Sequence, residues 1–241
     1  MNSIKVYDIS LLNFEEKCWS PNTFKTRVSL NKESTSINYN KGIPFDSVWV
    51  SFEEIPIVIP KLTKTTETPT VPVIVDTSKD VVIQDSWKIA QYLEANYPDT
   101  PSLFHGNEEL HEAAQASFSS FSFALFRLVI MTVANNIGNE DVKAEFRKSR
   151  EAKFGMTLEK FAGNPEDQIR IANEGLKDIR AKLAKSTYLS GSEVGWADGV
   201  LLAYFVMVDV LKHDIFQSRI LDSVQGKNPL REWYERMAKY V

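Results

Sequence analysis

Cys18-Trp19-Ser20-Pro21-Asn22-Thr23-Phe24-Lys25-Thr26-Arg27-Val28-Ser29-Leu30 stands a hydroxyl at the entrance of a helix. Pro21 suits a first helical position, because the N–H it lacks would be unpaired there and its fixed φ is already helical. Ser20 is then the N-cap. Its side chain shares that corner with unpaired backbone N–H groups and the positive end of the helix dipole, a combination that attracts anions. A serine that caps a helix and does nothing more fits the same residues.

Working outward, Ile4-Lys5-Val6-Tyr7-Asp8-Ile9 alternates as a strand does, and Ile43 to Val50 enters a second one. Strand–helix–strand predicts a parallel pair with a right-handed crossover. The polar run from Asn31 to Gly42 has little to bury and reads as a surface loop. Ser51 to Thr70, broken by Pro56, Pro60 and Pro69, reads as irregular with at most a short helix. Thr70-Val71-Pro72-Val73-Ile74-Val75-Asp76 is a strand in which Pro72 needs an edge, a start or a turn. A cis Val71-Pro72 bond would bend the chain and leave the N–H and C=O of Val71 free for an extended peptide ligand; a trans proline opening the strand is the commoner case. Thr77 to Asp80 is turn chemistry before Val81-Val82-Ile83-Gln84, giving a hairpin. Asp85 then caps a helix ending at Pro98, and Pro98 to Ser102 opens a linker.

From Glu108 onward strand signals vanish. Helical patterns cover Glu108 to Asn136, Glu140 to Phe161, Glu166 to Ala184, Ala197 to Leu211 and Leu230 to Tyr240, with Gly138, Gly155, Gly163 and Gly191 marking breaks. The Ala197 helix, apolar nearly all round, reads as the central member, with Asp198 able to reach back to Gly195. The expected division is 1–97, a linker 98–107, and 108–241.

A chain of 241 residues buries a sizeable core, and 28 basic against 32 acidic residues without long blocks excludes an electrostatic nucleic-acid binder. Cys18 is the sole cysteine, so there is no internal disulfide and no cysteine zinc cluster; His105, His111 and His213 have no metal spacing. No metal is expected. The start of the chain lacks an apolar core of signal-peptide length, and the cytosol is the expected compartment. Phe121 to Val133 and Val200 to Leu211 are apolar, but Arg127 and Asp209 interrupt them and both are too short for a bilayer, so no membrane is expected.

The order of elements and the residues at their junctions resemble the soluble glutathione transferases: Ser20-Pro21 opening the first helix with Lys25 and Arg27 inside it, Val71-Pro72 before a strand, Asp85-Ser86 opening the third helix, and the Ala197-Asp198 helix start. Trp19 to Arg27, Gly42-Ile43-Pro44-Phe45, Val48-Trp49-Val50 and Asp85-Ser86-Trp87 are most similar to the fungal FuA class, which is related to bacterial lignin β-etherases. The resemblance implies a thioredoxin-like α/β first domain, an all-helical second domain, a homodimer, glutathione as co-substrate, and a pocket for hydrophobic aromatic, wood-derived compounds. It departs at Lys32 to Asn40, which looks like an insertion. By the resemblance Val71 pairs with the cysteinyl part of glutathione and Pro72 is the cis residue. Asp85 and Ser86 bind the γ-glutamyl end, Ser20 faces the sulfur, and Asn22 assists.

A free thiol with a pKa of ~8.5 is only ~3% thiolate at pH 7. Lowering that pKa by roughly two units takes ~2.7 kcal/mol, which one hydroxyl hydrogen bond to the anion (~1.5–3) and a helix dipole (~0.3–1) supply together. Ser20 need only donate. Conjugation, ether cleavage and peroxide reduction all start from that anion. Two other readings stand: Cys18 as the thiol of a mixed-disulfide transferase, or a carrier of aromatic ligands. Trp19 and the stripe Phe118, Phe121, Phe123, Phe126 and Met131 would line its pocket, or the stripe is simply core. Arg127 would reach into that pocket, pair across a dimer, or snorkel to the surface.

Overall fold

Ile4, Val6 and Asp8 point one way along β1 (Ile4–Ile9) and are fully buried, while Lys5 and Tyr7 on the other face are half-buried. In this computed structural model, which describes residues 3–14, 17–30, 41–224 and 226–241, β1 is an inner strand of a sheet ordered β2-β1-β3-β4. It runs parallel to β2 (Phe45–Val50), with Ile4 opposite Phe45, and antiparallel to β3 (Val73–Asp76), with Ile4 opposite Asp76. The expected parallel pair and the β3–β4 hairpin (β4, Val81–Gln84) are both present. Between β1 and β2 runs α1 (Pro21–Leu30), at the bounds read from the sequence. The insertion Lys32 to Asn40 lies outside the described residues.

Of two expectations before β3, one holds and one needs correction. The proline-broken segment holds one short helix, α2 (Ile55–Thr63), because Pro56 falls in the first turn, where no N–H is needed, and only Pro60 costs an internal bond. Lys41, taken as part of a surface run, is buried: its Nζ pairs with Glu94 at 3.0 Å and donates to Thr100 Oγ1 at 3.1 Å. It therefore ties the chain after α1 to the end of α3 (Ser86–Asn96) and to the segment beyond it. Asp76 makes a similar knot at the end of β3, accepting from the hydroxyls of Tyr92, Tyr97 and Ser78.

The second half is all helical, and three of its expected helices are each broken in two. Glu108 to Asn136 divides at Phe118 into α4 (Glu108–Ser117) and α5 (Ser119–Asn136), which meet at a 51° bend. Neither proline nor glycine sits there; the Phe118 ring is buried against Phe121, and packing sets the bend. Glu140 to Phe161 becomes α6 (Glu140–Phe154) and α7 (Leu158–Ala162), parted by Gly155 at φ +67° and by the new N-cap Thr157. Glu166 to Ala184 becomes α8 (Pro165–Gly175) and α9 (Lys177–Leu183). A Cβ on Gly175 would stand 2.9 Å from that of Phe121, so the glycine lets α8 lie close on α5. After α10 (Trp196–Leu211) come a short turn α11 (His213–Ile215), a π-helical stretch over Phe216–Leu221 and α12 (Pro229–Met237). Among the described residues no single helix is long and apolar enough to cross a membrane. The whole is a thioredoxin-like α/β half joined to an all-α bundle.

α10 is the centre of that bundle. Val200, Leu201, Leu202, Phe205 and Met207 are fully buried, each worth ~1.5–3 kcal/mol on burial. Its start is fixed by Asp198, whose buried carboxylate accepts from Leu189 N (2.8 Å), Ser190 N (3.0 Å), Gly195 N (3.3 Å) and Trp233 Nε1 (2.8 Å). Asp198→Ala leaves those four donors, three of them buried, without an acceptor. It is expected to cost at least ~3 kcal/mol, read as a lowered urea midpoint with an unchanged m value.

Candidate active site

α1 enters the fold at Ser20, whose carbonyl accepts from Phe24 N at 2.9 Å, so Ser20 occupies the N-cap position read from the sequence. Ser20 is 7% exposed, and among the described residues its hydroxyl has no hydrogen-bond partner. The corner beneath it is rigid. Arg27 Nε donates to Asp8 Oδ2 at 2.8 Å and Nη2 to Ser47 at 2.8 Å, and the guanidinium lies 4.8 Å from the Trp49 ring centroid. Burial raises the Asp8 pKa even against the pull of Arg27.

Trp19, expected to line a pocket, is instead a core anchor: it is buried, and its indole N–H donates to the Ile9 carbonyl at 3.0 Å. Cys18 is half-buried, its thiol 3.9 Å from the Ser20 carbonyl and in contact with Asp8. Burial and then the negative charge of Asp8 push its pKa well above the ordinary thiol value. A thiolate is disfavoured there, which is the reverse of what a nucleophilic cysteine needs.

Asn22 is exposed on the first turn of α1. Its Oδ1 accepts at 3.2 Å from the Nζ of Lys25, a buried lysine whose ammonium lies 5.2 Å from the centroid of the Tyr204 ring of α10. Burial lowers the Lys25 pKa to about 8, and Asp85 acts against that shift. Lys25 and Arg27 carried no role in the sequence reading; the available signal was two cations on a helix otherwise filled with buried residues.

Val71 precedes Pro72 through a cis peptide bond, the less common alternative at that position. Its backbone N–H and C=O make no hydrogen bond among the described residues, while the Pro72 carbonyl accepts from Asp85 N at 3.2 Å. Asp85 has φ +86°, a conformation costly for a side-chain-bearing residue, and its Oδ1 caps α3 by accepting from Trp87 N (2.9 Å) and Lys88 N (3.1 Å). Those two donors are already taken. The buried Ser86 is left with its backbone N–H and hydroxyl unpaired among the described residues. Asp85 N thus donates to Pro72, the charge of Asp85 acts on Lys25, and Lys25 donates to Asn22.

The aromatic stripe divides. Phe118 and Phe121 are 2% and 1% exposed and belong to the core rather than to an open wall; the Phe121 ring meets Tyr204 edge-on at 6.3 Å. Met131 and Phe126 are half-buried and Phe123 is exposed. Arg127 covers the Phe161 and Phe123 rings at 5.0 and 5.5 Å, which accounts for it as a cap on an aromatic cluster. Among the described residues no group of His, Cys, Asp or Glu is placed to hold a metal.

The chain matches the family models for the glutathione S-transferase N-terminal domain over residues 33–101 and the C-terminal domain over residues 110–240. It belongs to the glutathione S-transferase family. Among solved structures it is similar to glutathione transferase GSTFuA3 of Phanerochaete chrysosporium, with 28% identity, a TM-score of 0.83, and coverage of 100% of this chain and 98% of the other. It is also similar to CsGST63524 of Ceriporiopsis subvermispora, solved in complex with glutathione, with 26% identity, a TM-score of 0.80, and coverage of 99% and 96%. Glutathione S-transferase-like protein ustS of Aspergillus flavus is 27% identical over 225 residues, covering 82% of this chain and 77% of its own length.

Cys18 is expected to react with iodoacetamide at pH 8 at least about tenfold more slowly than a free thiol, because so little of it is ionised. Unfolding in guanidinium should restore the ordinary rate, as followed by mass spectrometry.

Proposed function

We propose that this chain is a serine-type glutathione transferase in which the Ser20 hydroxyl stabilises the glutathione thiolate for attack on a hydrophobic aromatic electrophile. The observation that carries this reading is the set of polar groups left without a partner among the described residues at the start of α1, before β3 and at the start of α3: the Ser20 hydroxyl, the Val71 backbone pair, and the Ser86 N–H and hydroxyl. They match an extended peptide with an anionic end. Val71 pairs with the cysteinyl backbone as one strand pairs with another. Ser86 receives the γ-glutamyl carboxylate at the N-terminus of α3, and the Asp85 oxygen not used in capping receives the ammonium.

The tripeptide's sulfur then lies at the start of α1, with Asn22 assisting. Ser20 donates to it, and the proton lost on ionisation leaves to solvent. Residues 1–97 bind glutathione and residues 108–241 receive the electrophile. A thiol-transferase role for Cys18 runs against its raised pKa, and an open carrier pocket runs against the burial of Phe118 and Phe121.

Ser20→Ala is expected to leave the glutathione Kd within about threefold while raising the pH at which the bound thiol ionises by one to two, read as thiolate absorbance. An unmoved titration removes Ser20 from the chemistry. Ser86→Ala is expected to weaken glutathione binding by about tenfold or more in calorimetry with the melting temperature little changed; unaltered affinity refutes the γ-glutamyl assignment.

A further inference from the structure

Lys25 is an expensive residue for its place. It is 5% exposed, forms no ion pair among the described residues, and has one hydrogen bond, to Asn22. The groups that act on it are Asp85 from α3 and the Tyr204 ring from α10. A methionine would fill the same space without burying a charge. Its side chain leans toward the helix N-terminus, as helical side chains do, so a residue one turn inside α1 serves the first turn.

An ammonium has donors only, whereas a carboxamide has an oxygen that accepts and an NH2 that donates. Beside Lys25 Nζ, Asn22 presents its oxygen to the ammonium, and the two N–H donors of this exposed side chain are left for another partner. We propose that Lys25 is a positioning residue that acts through Asn22, holding that carboxamide with its N–H donors toward the glutathione sulfur. This rests on the reading that the sulfur lies at Ser20. The low Lys25 pKa, about 8, adds a consequence. Below that pH the ammonium fixes the carboxamide; above it the neutral amine can accept an Asn22 N–H, and the orientation is no longer imposed.

The test compares wild type with Lys25→Met, Lys25→Arg, Asn22→Ala and the Lys25→Met/Asn22→Ala double variant, using chlorodinitrobenzene as electrophile at saturating glutathione. Lys25→Met is expected to lower the conjugation rate about tenfold and raise the pH at which the bound thiol ionises by about one, yet to cost less than about twofold when Asn22 is already Ala. Wild type is expected to lose rate above pH ~8, and Lys25→Arg, charged at every working pH, should stay within about threefold of wild type below that pH and lack the fall. Equal losses from Lys25→Met in both backgrounds overturn the proposal. If Lys25→Met does not fold, the arginine variant decides alone, since a pH profile identical to wild type also overturns it. Calorimetry on wild type separates the two readings: no glutathione binding defeats the parent proposal, whereas normal binding with additive losses defeats only the role of Lys25.

Discussion

Arg27 reaches from α1 through 2.8 Å to an Asp8 carboxylate that is fully buried in the sheet, and this contact fixes how α1 sits on β1. Its guanidinium also bonds Ser47 of the adjacent strand and stacks on Trp49, so one side chain joins the helix to both parallel strands that flank it in sequence. Breaking such a pair by removing one partner strands a buried charge, at a typical cost of ~3–5 kcal/mol. On its other side α1 meets α10, where a Cβ at Gly199 would lie 3.1 Å from Val28 Cγ1. The helix is gripped from both sides, and the hydroxyl at its first corner inherits that rigidity. Preorganised donors stabilise a developing anion better than mobile ones because no reorganisation is needed when the charge appears.

The first half of the fold was legible because its signals are local. Alternation marked β1, proline and serine marked the start of α1, and a capping aspartate marked α3; each acts within a few residues of itself. The helical half was read as helix throughout, with the break at Gly155 foreseen, but the divisions at Phe118 and Gly175 were missed because the decisive contacts are distant in sequence. Phe118 breaks a helix without proline or glycine because its ring has a place in the core, and Gly175 gives way to Phe121 more than fifty residues earlier. Lys41 was misread for the same reason: its carboxylate partner Glu94 lies at the far end of α3.

For the candidate site, residue types were legible and their states were not. Sequence put Asp85 at a cap but not that its carboxylate already accepts from two of the N–H groups at the start of α3, which leaves the N–H of Ser86 as the unpaired one among the described residues. It put Cys18 beside Ser20 but not beside Asp8, whose charge adds to burial against a thiolate. A residue name fixes which protons a group can lose; its neighbours fix whether it loses them.

Those neighbours also set the hydroxyls of Ser20 and Ser86 apart from the thiol of Cys18. Ser20 keeps an unspent donor where the dipole of α1 favours negative charge, whereas the Cys18 thiol faces a carboxylate, where negative charge is disfavoured. Ser86 keeps its donors because Asp85 caps the rest of the α3 start. The chain thus leaves donors open at two helix beginnings and turns its own nucleophile inward. That arrangement suits a protein whose reactive sulfur arrives with the ligand, since a resident thiolate at the same corner would repel the incoming one and compete with it for the same electrophile.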